Sequence, residues 1–189
     1  TFEALTALTK EVQDEITHLQ SVQTSLSIAL QEEDLVQIKE ELIESGYIRR
    51  KGGGKKVKIT SKPYHYLSSD GFDIYVGKNN YQNDELTFRL ARKDDIWCHA
   101  SKVHGSHVII SCGGTTPPDD TVTQAAQLAA YYAETGGGQN IPVDVTAVKQ
   151  VKKIPNGKPG MVIYHTYRTV IANPYPDIVV DALNAETKE

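Results

Sequence analysis

The run DDIWCHASKVHGSHVIISC, residues 94–112, decides the fold and poses the functional question: it gathers three histidines, both cysteines and the only tryptophan of the chain. DIWCHA and SHVIISC read as strands, joined by the loop SKVHG. Side chains alternate across a strand, so Trp97 and His99 fall on one face and Cys98 on the other. The run could be a metal site, a nucleophilic centre or a binding wall.

Zinc fits poorly. Structural zinc wants paired ligands such as C-x2-C with H-x3–5-H. Here Cys98 and His99 are adjacent, His104 and His107 flank a Gly-Ser turn, and no accepted spacing results. A cysteine nucleophile needs its base within roughly 3 Å, which neighbours on one strand cannot achieve. GSH at 105–107 is not the elbow G-x-S-x-G. The wall remains: Trp97 and His99 offer rings for stacking, Gly105 permits close backbone approach, and Ser106 and His107 add short donors. The competing reading makes Trp97 a core anchor and His99 a buried, satisfied imidazole.

Outward from this run, YHYLSSDGFDIYVGKNN (64–80) reads as two short strands around the turn Ser69-Asp70-Gly71. NDELTFRLAR (83–92) reads as a short helix. The Ala-rich DTVTQAAQLAAYYAE (120–134) is a long helix stopped by GGG at 136–138. VDVTAVKQVKKI, GMVIYHTYRTVIANP and DIVVDAL supply further strands. Strands and helices do not alternate throughout, so the class is α+β, with a mixed, mostly antiparallel sheet and one long Ala-rich helix.

The beginning differs. Residues 1–31 read as an amphipathic helix with Leu5, Leu8, Val12, Ile16, Leu19, Val22, Leu26 and Leu30 on one stripe. A second helix is expected from about Glu33 to Ser45, with Leu35, Ile38 and Leu42 inward and Gly46 at its C-terminus. Two such stripes bury each other in a helical hairpin or coiled-coil root; packing on the following domain is the alternative. RRKGGGKKVKITSK (49–62) then carries seven bases and no acid. It reads as a basic linker that either meets nucleic-acid phosphate through Arg49, Arg50, Lys55 and Lys56 or is a solvated hinge. The expected divisions are a hairpin at 1–48, a linker at 49–62, a sheet domain at 63–183 and a tail at 184–189.

The net charge of −4 conceals a split: residues 1–45 carry −8, residues 46–176 carry +7 and the remainder −3. A basic domain of this kind points to a polyanionic partner. At 189 residues, 39% hydrophobic and 23% charged, the composition is that of an ordinary globular protein. No apolar run approaches the roughly 18 residues of a membrane span, and the first residues lack signal-peptide character. Two free thiols fit a reducing cytosol, so a cytoplasmic location is expected. Met161 is the only methionine, so Thr1 is not a translation start and the chain is expected to be a piece of a longer protein.

Several motifs in order, SSDGFDIYVGKNNYQNDELTFRLARKDDIWCHASKVHGSHVII, AAQLAAYYAE, VDVTAVKQVKKI and GKPGMVIY, resemble the RNA-binding NFACT-R domain over roughly residues 63–175. That domain belongs to the bacterial RqcH family, also called fibronectin-binding protein A and related to the nuclear export mediator factor. The preceding helices resemble the end of that family's coiled-coil middle region. The resemblance implies a non-catalytic module without cofactor or metal. Its partners would be the large ribosomal subunit and tRNA, and its role support of alanine tailing on stalled nascent chains. An alternative implied by the same family is an anchorless surface adhesin for host fibronectin or fibrinogen. The family's signature elements fall on Asn79, Asn80, Asn83, Asp84, Arg92, Asp95, Trp97, His99, Ala100, Gly105, Ser106, His107 and Val108. Two positions depart from the usual pattern: Cys98 stands where relatives tend to carry Leu or Phe, and His104 where proline is commoner. The expected RNA-contacting residues are Arg92, Trp97, His99, Ser106, His107, Lys149, Lys152 and Lys153, with Arg49, Arg50, Lys55 and Lys56 of the linker.

Overall fold

The structure, a computed structural model, describes residues 1–50 and 57–174. Lys55, Lys56, the expected strand at 177–183 and the tail at 184–189 lie outside the described residues. The fold is α+β, with two N-terminal helices, α1 (Phe2–Ile28) and α2 (Glu32–Glu44), followed by a sheet domain. Its strands are β1 (Tyr64–Leu67), β2 (Asp73–Val76), β3 (Ile96–Ala100), β4 (Val108–Ile110), β5 (Ile141–Ala147) and β8 (Arg168–Ala172). They stand in the order β1-β2-β4-β3-β5-β8, and every pairing is antiparallel. A short ribbon of β6 (Lys152–Lys153) and β7 (Val162–Ile163) stands apart from the sheet.

The register assigns the two faces. Cys98 lies opposite Val108 and Val145, and Ile110 opposite Ile96 and Ile74. These side chains form the main core with helix α4 (Asp119–Tyr131), whose Val122, Ala125, Ala126, Leu128, Ala129 and Ala130 are buried. Small residues at this density let α4 lie close to the strands. The opposite face carries Trp97, Ile109 and Tyr75, covered by the short helix α3 (Asn80–Glu85) and the π-helical turn Leu86–Leu90 that continues it. Leu86, Val148 and Val151 complete this second, smaller core.

The hairpin departs from its periodicity. Leu5 is 65% exposed, and Leu8, Val12, Ile16, Leu19, Leu26, Leu30 and Leu35 are exposed as well. Helix α1 instead buries His18, Val22, Thr24, Ser25 and Ile28. Length explains part of this. At 1.5 Å per residue α2 spans about 20 Å against about 40 Å for α1, so it cannot cover the first half of its partner. The rest follows from what α2 buries, which is Ile38 together with Asp34, Gln37, Glu40 and Glu41. Gly46 ends α2 as expected, at φ +82°.

Asp34, Gln37 and Glu41 face the sheet domain, so the helices pack on it as well as on each other. Asp34 Oδ1 accepts hydrogen bonds from Ser61 Oγ at 2.6 Å and Lys78 Nζ at 3.2 Å. Gln37 Oε1 accepts from Asn79 Nδ2 and Gln82 Nε2, both at 2.9 Å. Glu41 Oε1 lies 2.8 Å from His18 Nε2 and accepts from Asn80 Nδ2 at 2.8 Å, while the same Asn80 amide reaches Ser21 Oγ at 2.8 Å. Burial alone would raise the Asp34 carboxyl pKa; the Ser61 and Lys78 contacts overcome it and hold the group below its ordinary value. Removing one acceptor from such a network strands several buried donors, at about 1–3 kcal/mol each. Glu41→Ala is expected to lower unfolding free energy by roughly 2–3 kcal/mol and to speed amide exchange in α2 while β3 and β5 stay protected. Unchanged exchange in α2 would refute the network's role.

Candidate nucleic-acid interface

The expected binding residues separate into two sets. Trp97 is 0% exposed. Its ring stacks on His99 at 5.5 Å with 9° between planes, and meets Tyr164 at 4.8 Å and the edge of His107 at 5.3 Å. His107 and Ser106 are each 1% exposed. The expectation that these three residues face a partner is therefore corrected: Trp97 packs with Leu86 and Tyr164, His107 meets Thr87 of the π turn, and Ser106 is enclosed by α1, α3 and the residues after α4. His99 is only partly buried and reaches the surface at the edge of this cluster.

The Gly-Ser-His corner serves the fold. A Cβ on Gly105 would lie 2.9 Å from Ala133 Cβ and 3.2 Å from the Tyr132 carbonyl, so the close approach made there is to the end of α4. Ser106 N donates to Tyr132 O at 3.0 Å, and Glu134 N to His104 O at 2.8 Å. His107 Nδ1 is 2.8 Å from Thr87 Oγ1, and its backbone N–H donates to Asn83 Oδ1 at 3.0 Å. The signature asparagines are scaffold too: Asn79 caps α3 by accepting from Gln82 N, and Asn80 joins the hairpin network. Asp95 accepts from Arg92 N and Cys112 N, pinning the start of β3 to the end of β4. Cys98 is buried in the main core, where burial pushes its thiol pKa up to about 12. It is an apolar filler on the face away from His99. Among the described residues no three metal-ligating side chains gather.

Arg92, Lys149, Lys152 and Lys153 are exposed, and backbone contacts tie the segment of Lys149 to the one that follows Arg92. Lys149 N donates to Lys93 O at 3.0 Å, and Val148 N to Asp95 O at 2.9 Å. Lys149 Nζ pairs with Asp94 at 2.8 Å and Lys153 Nζ with Asp84. The Lys149–Asp94 pair is exposed and worth only about 0–1 kcal/mol, so a phosphate can displace that carboxylate; Asp84 is largely buried and also accepts from Gly160 N. Arg50 is held by Glu40 of α2 through two bonds, at 2.6 and 3.1 Å, whereas Arg49 is exposed.

One feature escaped the sequence reading. On the face opposite α4, at the β1–β2 edge, lies an open groove of about 770 Å³. Its floor is His65, Tyr75 and Ile109, three side chains in register across β1, β2 and β4. Arg92, Leu90 and Lys62 are among the residues that line it. His65 and Tyr75 stack at 4.7 Å with 11° between planes. Alternation placed both residues on strands, but only the pairing of β1 with β2 brings them together.

Residues 62–166 match the family model of the NFACT protein RNA binding domain, and residues 1–61 that of the NFACT N-terminal and middle domains. The chain belongs to the NFACT family. Among curated relatives, the Rqc2 homolog RqcH of Streptococcus pneumoniae is 44% identical over 171 residues, covering 90% of this chain and 30% of that protein. RqcH of Bacillus subtilis is 40% identical over 174 residues, covering 89% of this chain and 30% of its own length. The chain thus spans about 30% of the length of these relatives. The solved C-terminal region of the fibronectin/fibrinogen-binding protein from Streptococcus suis matches with a TM-score of 0.88 and 41% identity, over 95% of this chain and 71% of that one.

Burial gives the second core a pH signature. Desolvation lowers the His107 pKa to about 3, reinforced by His99 nearby and opposed by backbone hydrogen bonds at Asn83 and Gly160. His99 is lowered too, again first by desolvation. An unfolded histidine titrates near 6.5. As pH falls below that value the unfolded chain therefore takes up protons that the folded state refuses, and stability falls. The loss attributable to His107 is at most roughly 1.4 kcal/mol per pH unit, continuing towards pH 3. Urea midpoints are expected to drop between pH 7.5 and pH 5, and His107→Asn to flatten that dependence. A dependence equally steep in the variant would contradict the assignment.

Proposed function

We propose that this chain is the C-terminal, RNA-contacting portion of a ribosome quality control factor. In this reading it holds the large ribosomal subunit or tRNA through its exposed cations, and supports alanine tailing of stalled nascent chains without itself making or breaking covalent bonds. The observation carrying the proposal is the set Arg92, Lys149, Lys152 and Lys153, all exposed on a domain that matches an RNA-binding family model. Its RqcH relatives fit this role. His99 stands at the rim of the second core, where its exposed edge can join the contact. Trp97, Ser106 and His107 act from behind by fixing the strand and corner that set the cations' positions. A cytoplasmic location follows from the role, and no described helix is long and apolar enough to cross a membrane.

A second reading, adhesion to host fibronectin or fibrinogen, draws on the streptococcal protein whose C-terminal region shares the fold. The strand edges at β1 and β8, unpaired among the described residues, supply a physical route, because an extended segment can add to such an edge. Capture of this chain by immobilised fibronectin at physiological salt, with loss of capture on placing proline in β8, would favour it.

Displaced counterions make phosphate binding salt-dependent, with a slope of about 0.7–0.9 per phosphate neutralised. Replacing Lys149, Lys152 and Lys153 together by glutamine is expected to weaken ribosomal RNA binding and to flatten the log–log salt slope by up to about 2–3. A slope identical to the unsubstituted chain would remove these lysines from the contact.

A further inference from the structure

We propose that the groove over β1 and β2 is a subsite for an unpaired base of single-stranded RNA, a proposal that rests on the RNA-contacting reading. The volume, about 770 Å³, is ample for a nucleotide. The His65–Tyr75 pair offers what a base needs. Its rings are parallel within 11°, His65 is exposed, and among the described residues β1 is the edge of the sheet, with no strand paired beyond it. The orientation is held from both sides. Asp73 Oδ1 lies 2.7 Å from His65 Nε2, while Tyr75 packs into the second core. A base adding to this stack continues an existing column of rings and requires little reordering.

The charges agree with that occupant. Lys62 and Arg92, both exposed, line the groove and supply cations for the phosphates of a stacked nucleotide. The carboxylates nearby are Glu85, Asp73 and Asp95. Asp73 is engaged by His65, and Asp95 is buried and accepts two backbone donors. Glu85 is exposed on the lining and is able to accept from the exocyclic amine of adenine or cytosine. The stack therefore reads a base and the cations read its backbone, next to the lysines proposed to hold the rest of the RNA.

The test compares a fluorescent oligoadenylate with an abasic oligomer of the same length, which keeps the phosphates and lacks the rings. The unsubstituted chain is expected to bind oligoadenylate about tenfold or more tightly than the abasic strand, a ratio within the range of one base–aromatic stack. His65→Ala, at an exposed position, is expected to bring that ratio close to one while leaving the salt slope unchanged. Tyr75→Leu keeps apolar volume in the second core and is expected to lower the ratio too; circular dichroism verifies the fold of both. Equal affinity for the two oligomers, or a ratio untouched by His65→Ala, overturns the subsite. If the salt slope is then still steep, the RNA-contacting reading survives. Failure of both oligomers and of ribosomal RNA to bind at low salt defeats that reading as well. An unstructured peptide that binds the groove and that oligoadenylate cannot displace also overturns the assignment.

Discussion

The structure depends on a buried polar network between α2 and the start of the sheet domain. Asp34, Gln37 and Glu41 Oε1 leave water where Ser61, Lys78, Asn79, Asn80, Gln82 and His18 meet them within hydrogen-bonding distance. Buried amides and carboxylates tolerate very few alternative arrangements, since each lost partner costs about as much as a typical destabilising mutation. An apolar contact of equal area would permit sliding; this one fixes the position of the hairpin. It also fixes α3, which lies between the hairpin and the sheet. Through α3 it determines which parts of the sheet are covered and which remain open.

That placement changes what the most conspicuous residues do. Trp97 and His107 are shielded by the π turn and Tyr164, while Asn79 and Asn80 face the hairpin. Their side chains build the platform, and the exposed chemistry lies at its periphery. It comprises Lys149, Lys152 and Lys153, and the groove with the His65–Tyr75 stack, Lys62 and Arg92. A domain arranged in this way can present a constant outline to RNA because little of the contact surface is needed to hold the fold.

Much of the sheet domain was legible in the sequence, because strand alternation and turn residues act locally. DIWCHA and SHVIISC paired as expected, with Cys98 and His99 on opposite faces, and the Ala-rich helix covers the face that includes Cys98. The hairpin was less legible. A heptad-like stripe shows that apolar residues share a face, but not that their partner is half as long, nor that Asp34 and Glu41 find buried partners far along the chain. The same difficulty affected Trp97. A ring on a strand looks identical in sequence whether a ligand or a π turn lies over it, and only the path of residues 80–90 distinguishes the two. The stack of His65 on Tyr75 depends on strand register, which no pattern around either residue encodes.

The most direct measurement is a map of protein–RNA crosslinks for this chain bound to ribosomal RNA, read residue by residue. Crosslinks are expected to cluster on the face opposite α4, at Lys62, Arg92 and Lys152, and to spare α4 itself. Crosslinks concentrated on α4, or through the ring of Trp97 in a chain that keeps its folded spectrum, would contradict the division between scaffold and contact surface.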